Sequence, residues 1–114
     1  GQYNPNKREL DTTTIERSTY VPDLRDRATQ DAGSFLHAID AGVIDESHIH
    51  AELGDIVADN AVGRTSDEEI TVFDSGGTAI ETVAAAGMLY ERAREQGLGS
   101  TIEFAPASDA LTGK

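Results

Sequence analysis

Three short patterns in this chain bring together side chains able to do chemistry. The first is Ser75-Gly76-Gly77, which separates the β-branched and aromatic run ITVFD (70–74) from a long helical pattern opening at Thr78. A hydroxyl at such a strand-to-helix junction faces outward together with the free backbone N–H groups of the helix start. It can cap the helix, touch a ligand, or do both. The second is His48-x-His50. On a strand the two rings would share a face and could bind a metal with further ligands. On a helix, which the neighbouring residues favour, they stand about 200° apart and cannot converge. His37 has no partner in sequence, so no metal site is expected. The third is Asp67-Glu68-Glu69, paired carboxylates in outline but set in a polar connection, where a solvated run is the expectation. The chain has no cysteine, which excludes disulfides, thiolate catalysis and thiolate metal sites. No Ser-His-Asp or phosphate-cradling arrangement can be argued.

The elements that must position these groups come from a chain of 114 residues, long enough for one domain and too short for two full ones. Twenty-one acidic against nine basic residues give a net charge of −12. Such a surface repels phosphate backbones and anionic lipids, so neither nucleic acid nor membrane is expected as a partner. The acids are dispersed from Asp23 to Glu95, and only Lys7 and Lys114 are lysine. A dispersed excess with few lysines points to a folded, salt-adapted protein whose self-repulsion is screened over about 3 Å at molar ionic strength. No apolar run approaches the roughly 20 residues that cross a bilayer, and no basic-then-apolar leader is seen. A soluble, cytoplasmic protein is expected. Gly1 in place of methionine implies either a removed initiator or a piece of something longer.

Residues 1–10 carry turn formers, and Asp11 to Thr14 can cap a short helix running through Glu16 and Arg17. Thr19 to Val21 favour a strand ended by Pro22. Ala28, Ala32, Phe35, Leu36 and Ile39 recur at helical steps, which predicts one amphipathic helix over 25–39, slightly weakened by Gly33. A second helix is predicted over 46–58, with Ile49, Leu53, Ile56 and Val57 inward. Residues 59–69 form a polar connection, 70–74 the clearest strand, and 79–96 the longest helix, stopped by Gly97 and Gly99. The run AAAG (84–87) gives that helix a face of small residues. Thr101 to Phe104 could form one more short strand before a frayed end. Two or three short strands make a poor sheet by themselves, so strands are expected to be missing.

Taken in order, the opening GQYNPNKRELD, the pair AELGDIV (51–57) and GRTSDEEITVFDSGG (63–77), and the helix AIETVAAAGMLYERA (79–93) with its GLG terminator cover nearly the whole chain to about residue 100. Together they resemble the ornithine cyclodeaminase / mu-crystallin family, which also holds archaeal alanine dehydrogenases and cyclic ketimine reductases. The resemblance implies an α/β chain that is the C-terminal fragment of a Rossmann-containing, two-lobe, NAD(P)-dependent dehydrogenase. Residues 1–62 would be the last elements of the dinucleotide lobe, 63–100 the return to a substrate and dimerisation lobe, and 101–114 a tail. The G-x-G-x-x-G turn that seats a pyrophosphate is absent from this sequence, so the chain alone is not expected to bind cofactor.

The same resemblance implies site residues. Lys7 matches a family lysine near the cofactor, where an ammonium can donate to ribose or phosphate oxygens; the plain alternative is a solvated surface lysine. Ser75 matches a serine beside the nicotinamide, and Gly76 the neighbouring substrate contact. Tyr3 stands where ornithine cyclodeaminases carry an acid–base aspartate. A phenol of ordinary pKa near 10 cannot replace a carboxylate base near neutrality without a large shift, so Tyr3 is expected to pack against the pocket wall. This departure disfavours ornithine cyclisation and favours hydride transfer at the α-carbon of an amino acid or at the C=N of a cyclic imine, by a homodimer. The alternative is a non-catalytic remnant or a binding module of the mu-crystallin type.

Overall fold

The Asp11 carboxylate accepts the N–H of Thr14 at 2.7 Å and so opens α1, Thr12–Glu16, as the capping pattern implied. The computed structural model describes residues 4–102 and Gly113. Tyr3 lies outside the described residues. After α1 come β1 (Thr19–Pro22), α2 (Arg25–Asp31), α3 (Gly33–Asp40), a 3-10 turn (Glu46–His48), α4 (Leu53–Val57), β2 (Thr71–Asp74) and α5 (Ala79–Glu95). The chain is mixed α/β, as expected. It divides into two compact units between Thr78 and Ala79.

In the first unit β1 and β2 run parallel, in register from Thr19↔Thr71 to Pro22↔Asp74. Parallel neighbours need a long crossover, and here residues 23–70 supply it with three helices and the 3-10 turn. On its other side β1 makes a single parallel bridge, Tyr20↔Ile49, through the His50 N–H to the Tyr20 carbonyl at 2.9 Å. The core under this sheet is Ile15, Tyr20, Ala28, Ala32, Phe35, Ala38 and Ile49. Tyr20 and Phe35 stack with ring centroids 4.7 Å apart. β2 therefore belongs to the same unit as the first sixty-two residues.

Two helices of the sequence reading come out differently. The helix expected over 25–39 is broken at Ala32, whose ψ of 94° is extended, into α2 and α3. The cause is a close approach. A Cβ on Gly33 would stand 1.7 Å from the Lys7 carbonyl oxygen. The Ser34 hydroxyl also accepts the N–H groups of Glu9 and Leu10 at 3.0 and 3.2 Å. Gly33 is thus not a weak spot in a helix but the place where the loop 4–10 rests on one. Ala28, Ala32 and Phe35 still point inward as the period required, while Leu36 is only half-buried.

The helix expected over 46–58 is the larger departure. Asp45 caps a 3-10 turn through the Ser47 N–H at 2.8 Å, residues 49–52 are extended or irregular, and only Leu53–Val57 is helical. Pairing of Ile49 with Tyr20 overrides the local helical preference, because it buries a β-branched side chain against the core. Val57, expected inward, is 76% exposed.

The second unit carries α5. Gly97, at φ 65°, lets the Leu98 N–H reach the Ala93 carbonyl at 2.8 Å and so ends the helix where expected. Thr101 and Ile102 are irregular rather than strand, and residues 103–104 of that expected strand lie outside the described residues. No helix among the described residues is long and apolar enough to cross a membrane.

Two glycines provide a controlled test of this packing. Gly33→Ala forces a methyl into a backbone carbonyl and should lower stability by about 1–3 kcal/mol or more. Gly54→Ala meets nothing within 4 Å and should be neutral or stabilising by up to about 1 kcal/mol. Urea midpoints followed by circular dichroism read both, and equal midpoints for the two variants would contradict the close approach at Gly33.

Candidate functional site at the carboxyl ends of the paired strands

Because β1 and β2 are parallel and in register, both release their chains at the same edge. Open α/β sheets bind ligands at this edge, outside the carboxyl ends of the strands. Asp23 leaves β1 there, and Ser75-Gly76-Gly77 leaves β2. The Asp23 N–H donates to the Asp74 carbonyl at 3.2 Å, which extends the pairing by one residue. Its carboxylate is buried. One oxygen accepts the Leu24 N–H at 2.8 Å, and the other accepts the N–H groups of Gly76 and Gly77 at 2.8 and 3.0 Å. The acid that composition assigned to a solvating surface is instead a structural anion tied to the turn.

Asp74 is the second buried acid at this edge. Its Oδ2 accepts the Tyr20 hydroxyl, so the ring that stacks on Phe35 also anchors the last residue of β2. Its Oδ1 is buried and has no hydrogen-bond partner among the described residues. Buried polar atoms are nearly always paired, and exceptions concentrate where a site stores strain or does chemistry. Ser75 follows directly, half-buried, and Gly76 is half-buried beside it. Gly77 takes φ 73°, a conformation that suits glycine. The turn therefore carries the Ser75 hydroxyl on a backbone held by the Asp23 carboxylate.

Ser75 and Gly76 thus stand together at the carboxyl edge of the two strands. Lys7 is exposed on the loop that rests on Gly33, with its backbone N–H donating to the Asn4 carbonyl at 3.0 Å. Of the H-x-H pair, His48 ends the 3-10 turn and His50 lies on irregular chain beyond it. Each ring donates to a different backbone carbonyl, His48 to Ile15 at 2.8 Å and His50 to Val62 at 2.7 Å. No cluster of three or more potential metal ligands occurs among the described residues.

Of the Asp67-Glu68-Glu69 run, Glu69 is more than solvated. Its carboxylate accepts the Thr19 hydroxyl at 2.5 Å and the Thr65 N–H at 2.7 Å, joining β1 to the 65–69 loop. These donors, the Thr19 hydroxyl first, hold its pKa down to about 2 from 4.5. On the sheet face away from Tyr20, Val21, Phe73, Leu53 and Ile56 line an apolar hollow of about 200 Å³. Its polar lining is Thr19, Thr71 and Arg64.

Sequence reasoning missed Asp23, Asp74 and Tyr20. The signal available was positional: an acid directly after a strand, at the edge where such sheets carry their sites. The sequence could not say that the two strands were neighbours.

These features define a class first: an α/β chain with parallel strands and a polar turn at their carboxyl ends. The profile of the ornithine cyclodeaminase/mu-crystallin family matches residues 1–97, and the chain belongs to that family. It is 41% identical over 105 residues to the Delta(1)-pyrroline-2-carboxylate reductase of Bacillus cereus, covering 91% of this chain and 32% of that protein. Among solved structures, it resembles the Delta(1)-pyrroline-2-carboxylate reductase of Thermococcus litoralis in complex with NADH and L-proline. There the TM-score is 0.73 at 42% identity, over 86% of this chain and 30% of the other. It also resembles an archaeal alanine dehydrogenase dimer with bound NAD, with TM-score 0.70 at 39% identity over 91% of this chain and 32% of the other. The chain spans about a third of the length of these relatives, in keeping with an α/β portion of a larger dehydrogenase fold.

The lowered Glu69 pKa has a consequence for acid stability. The depressed value means its contribution is complete above about pH 4.5 and is lost as pH falls toward about 2. Carboxyl-carbon NMR should place the Glu69 midpoint near 2, and Glu69→Gln should flatten the acid-unfolding curve below pH 4.5. An ordinary midpoint would show that the Thr19 and Thr65 contacts do not persist in solution.

Proposed function

We propose that this chain is part of an NAD(P)-dependent oxidoreductase that transfers a hydride at the α-carbon of an amino acid or at the C=N bond of a cyclic imine. The observation that carries this is the placement of Ser75 and Gly76 at the common carboxyl edge of two parallel strands, in a chain similar to reductases and a dehydrogenase of that chemistry. In this reading Ser75 faces the nicotinamide end of the cofactor, Gly76 lies beside the substrate, and Lys7 donates to ribose or phosphate oxygens. The cofactor supplies the hydride chemistry. The chain's own residues bind and orient.

Residues 1–62 then belong to the dinucleotide lobe, with β2 extending its sheet. The chain passes within 63–100 to a substrate and dimerisation lobe, and 101–114 form a tail. Parallel sheets are ordinarily covered on both faces and contain more than two strands. The apolar hollow beneath Val21 and Phe73 fits a sheet continued and covered by further chain. A homodimer, a cytoplasmic setting and adaptation to concentrated salt complete the proposal, the last because of the dispersed net charge of −12.

Cofactor binding is tested by titrating NADH and NADPH at high salt and following nicotinamide fluorescence. The complete protein should bind, whereas the 114-residue chain, lacking the glycine-rich pyrophosphate turn, should not bind even at millimolar concentration. Ser75→Ala in the complete protein should lower kcat/KM by about 2- to 10-fold, the size of one lost hydrogen bond. Unchanged kcat and KM would remove Ser75 from the site, and a complete protein without turnover would favour the non-catalytic binding module.

Salt adaptation predicts a separate result. Circular dichroism in molar KCl should show more helix and a higher Tm than in dilute buffer, because screening relieves the repulsion among acids. Identical spectra and melting curves in the two would count against it.

A further inference from the structure

We propose that Asp23 is the positioning residue of this site: its carboxylate is a built-in anion that fills the nest of the Gly76 and Gly77 N–H groups and so sets where Ser75 stands. Two successive N–H groups can converge on one oxygen only if the backbone curls, and such concave nests attract anions. The curl is visible in Gly77, at φ 73°. One Asp23 oxygen occupies the nest at 2.8 and 3.0 Å, and the other accepts the Leu24 N–H at 2.8 Å, at the start of α2. Three backbone donors thus converge on a carboxylate that is only 7% exposed. Charge-assisted bonds of this kind are about twice as strong as neutral ones.

The main chain of the same residue holds Asp74 through its carbonyl at 3.2 Å. Asp23 therefore grips the chain on both sides of Ser75: the carbonyl before it and the two amides after it. Ser75 is left between two fixed points. The arrangement also limits what the turn can recognise. With the Gly76 and Gly77 N–H groups already engaged and a carboxylate beneath them, this edge does not take up a phosphate or a substrate carboxylate through those amides. Its contacts to a ligand run through the Ser75 hydroxyl and the Gly76 carbonyl.

The consequence for turnover rests on the functional reading above, whereas the grip on the turn does not, so the two are tested separately. In the unsubstituted protein, the Gly76 and Gly77 amide protons should exchange slowly with solvent. Free exchange of both would overturn the proposal without any variant. In the complete protein, Asp23→Asn puts an amide where a carboxylate accepted three donors, so at least one bond fails. A misplacement of the order of 1 Å at a reacting centre costs about 10²-fold, and kcat/KM should fall by roughly that factor. Asp23→Ala should fall further and be partly restored by formate, a small carboxylate able to refill the nest, which a merely structural role would not allow. If Ser75→Ala slows turnover while Asp23→Asn stays within twofold of the unsubstituted protein, the positioning role is wrong. If Ser75→Ala has no effect while the amide protons behave as expected, the nest stands and the functional reading fails.

Discussion

The parallel pairing of β1 with β2 is the contact on which the first unit depends. Its partners, Thr19↔Thr71 through Pro22↔Asp74, are about fifty residues apart in sequence, so closing that loop costs chain entropy before any contact forms. What offsets the cost is packed between the strands. α1, α2, α3 and α4 are each eight residues or fewer, below the roughly 12–15 residues at which an isolated helix becomes stable in water. α1, α2 and α3 persist because Ile15, Ala28, Phe35 and Ala38 bury against Tyr20 of β1, while α4 buries no residue fully. Helices and sheet are therefore one cooperative object.

The same pairing makes the site. Strands in register end together, so the residues just beyond them are neighbours whatever their distance in sequence. In a chain whose acids mostly face solvent, two carboxylates are buried at this edge and serve opposite ends. Asp23 saturates itself with backbone donors and fixes the Gly76-Gly77 turn. Asp74 takes one bond from Tyr20, and its other, buried oxygen has no partner among the described residues. Burying a charge is costly unless it is hydrogen-bonded, which is why Asp23 draws three N–H groups to itself and orders the turn as it does so. Order in the core passes to the site through Tyr20, which stacks on Phe35 and holds the end of β2.

Local pattern was a good guide wherever neighbours in sequence decide the outcome. The Asp11 cap, the β-branched run at Thr71–Asp74 and the glycine stop at Gly97 each depend on residues within four or five positions. It failed where distant chain intrudes. The Lys7 carbonyl breaks one helix at Gly33, and pairing with Tyr20 unwinds another at Ile49. Residue type misled in the same way. Glu69 looked solvated and is a clasp between β1 and its loop.

By itself the sequence determined the α/β character, the family through its ordered motifs, the acidic surface and the Ser75-Gly76-Gly77 turn. The acidic surface follows from composition and the elements from short-range periodicity, whereas the family follows from the resemblance of the ordered motifs. The tertiary structure alone decided that β1 and β2 are parallel neighbours, that Asp23 reaches across fifty-three residues to the Gly76 N–H, and that Asp74 lies buried against Tyr20. Those contacts arise from the register between two distant strands, and a one-residue slip would turn every side chain to the other face. Register is a property of the packed pair, and no window along the chain contains it.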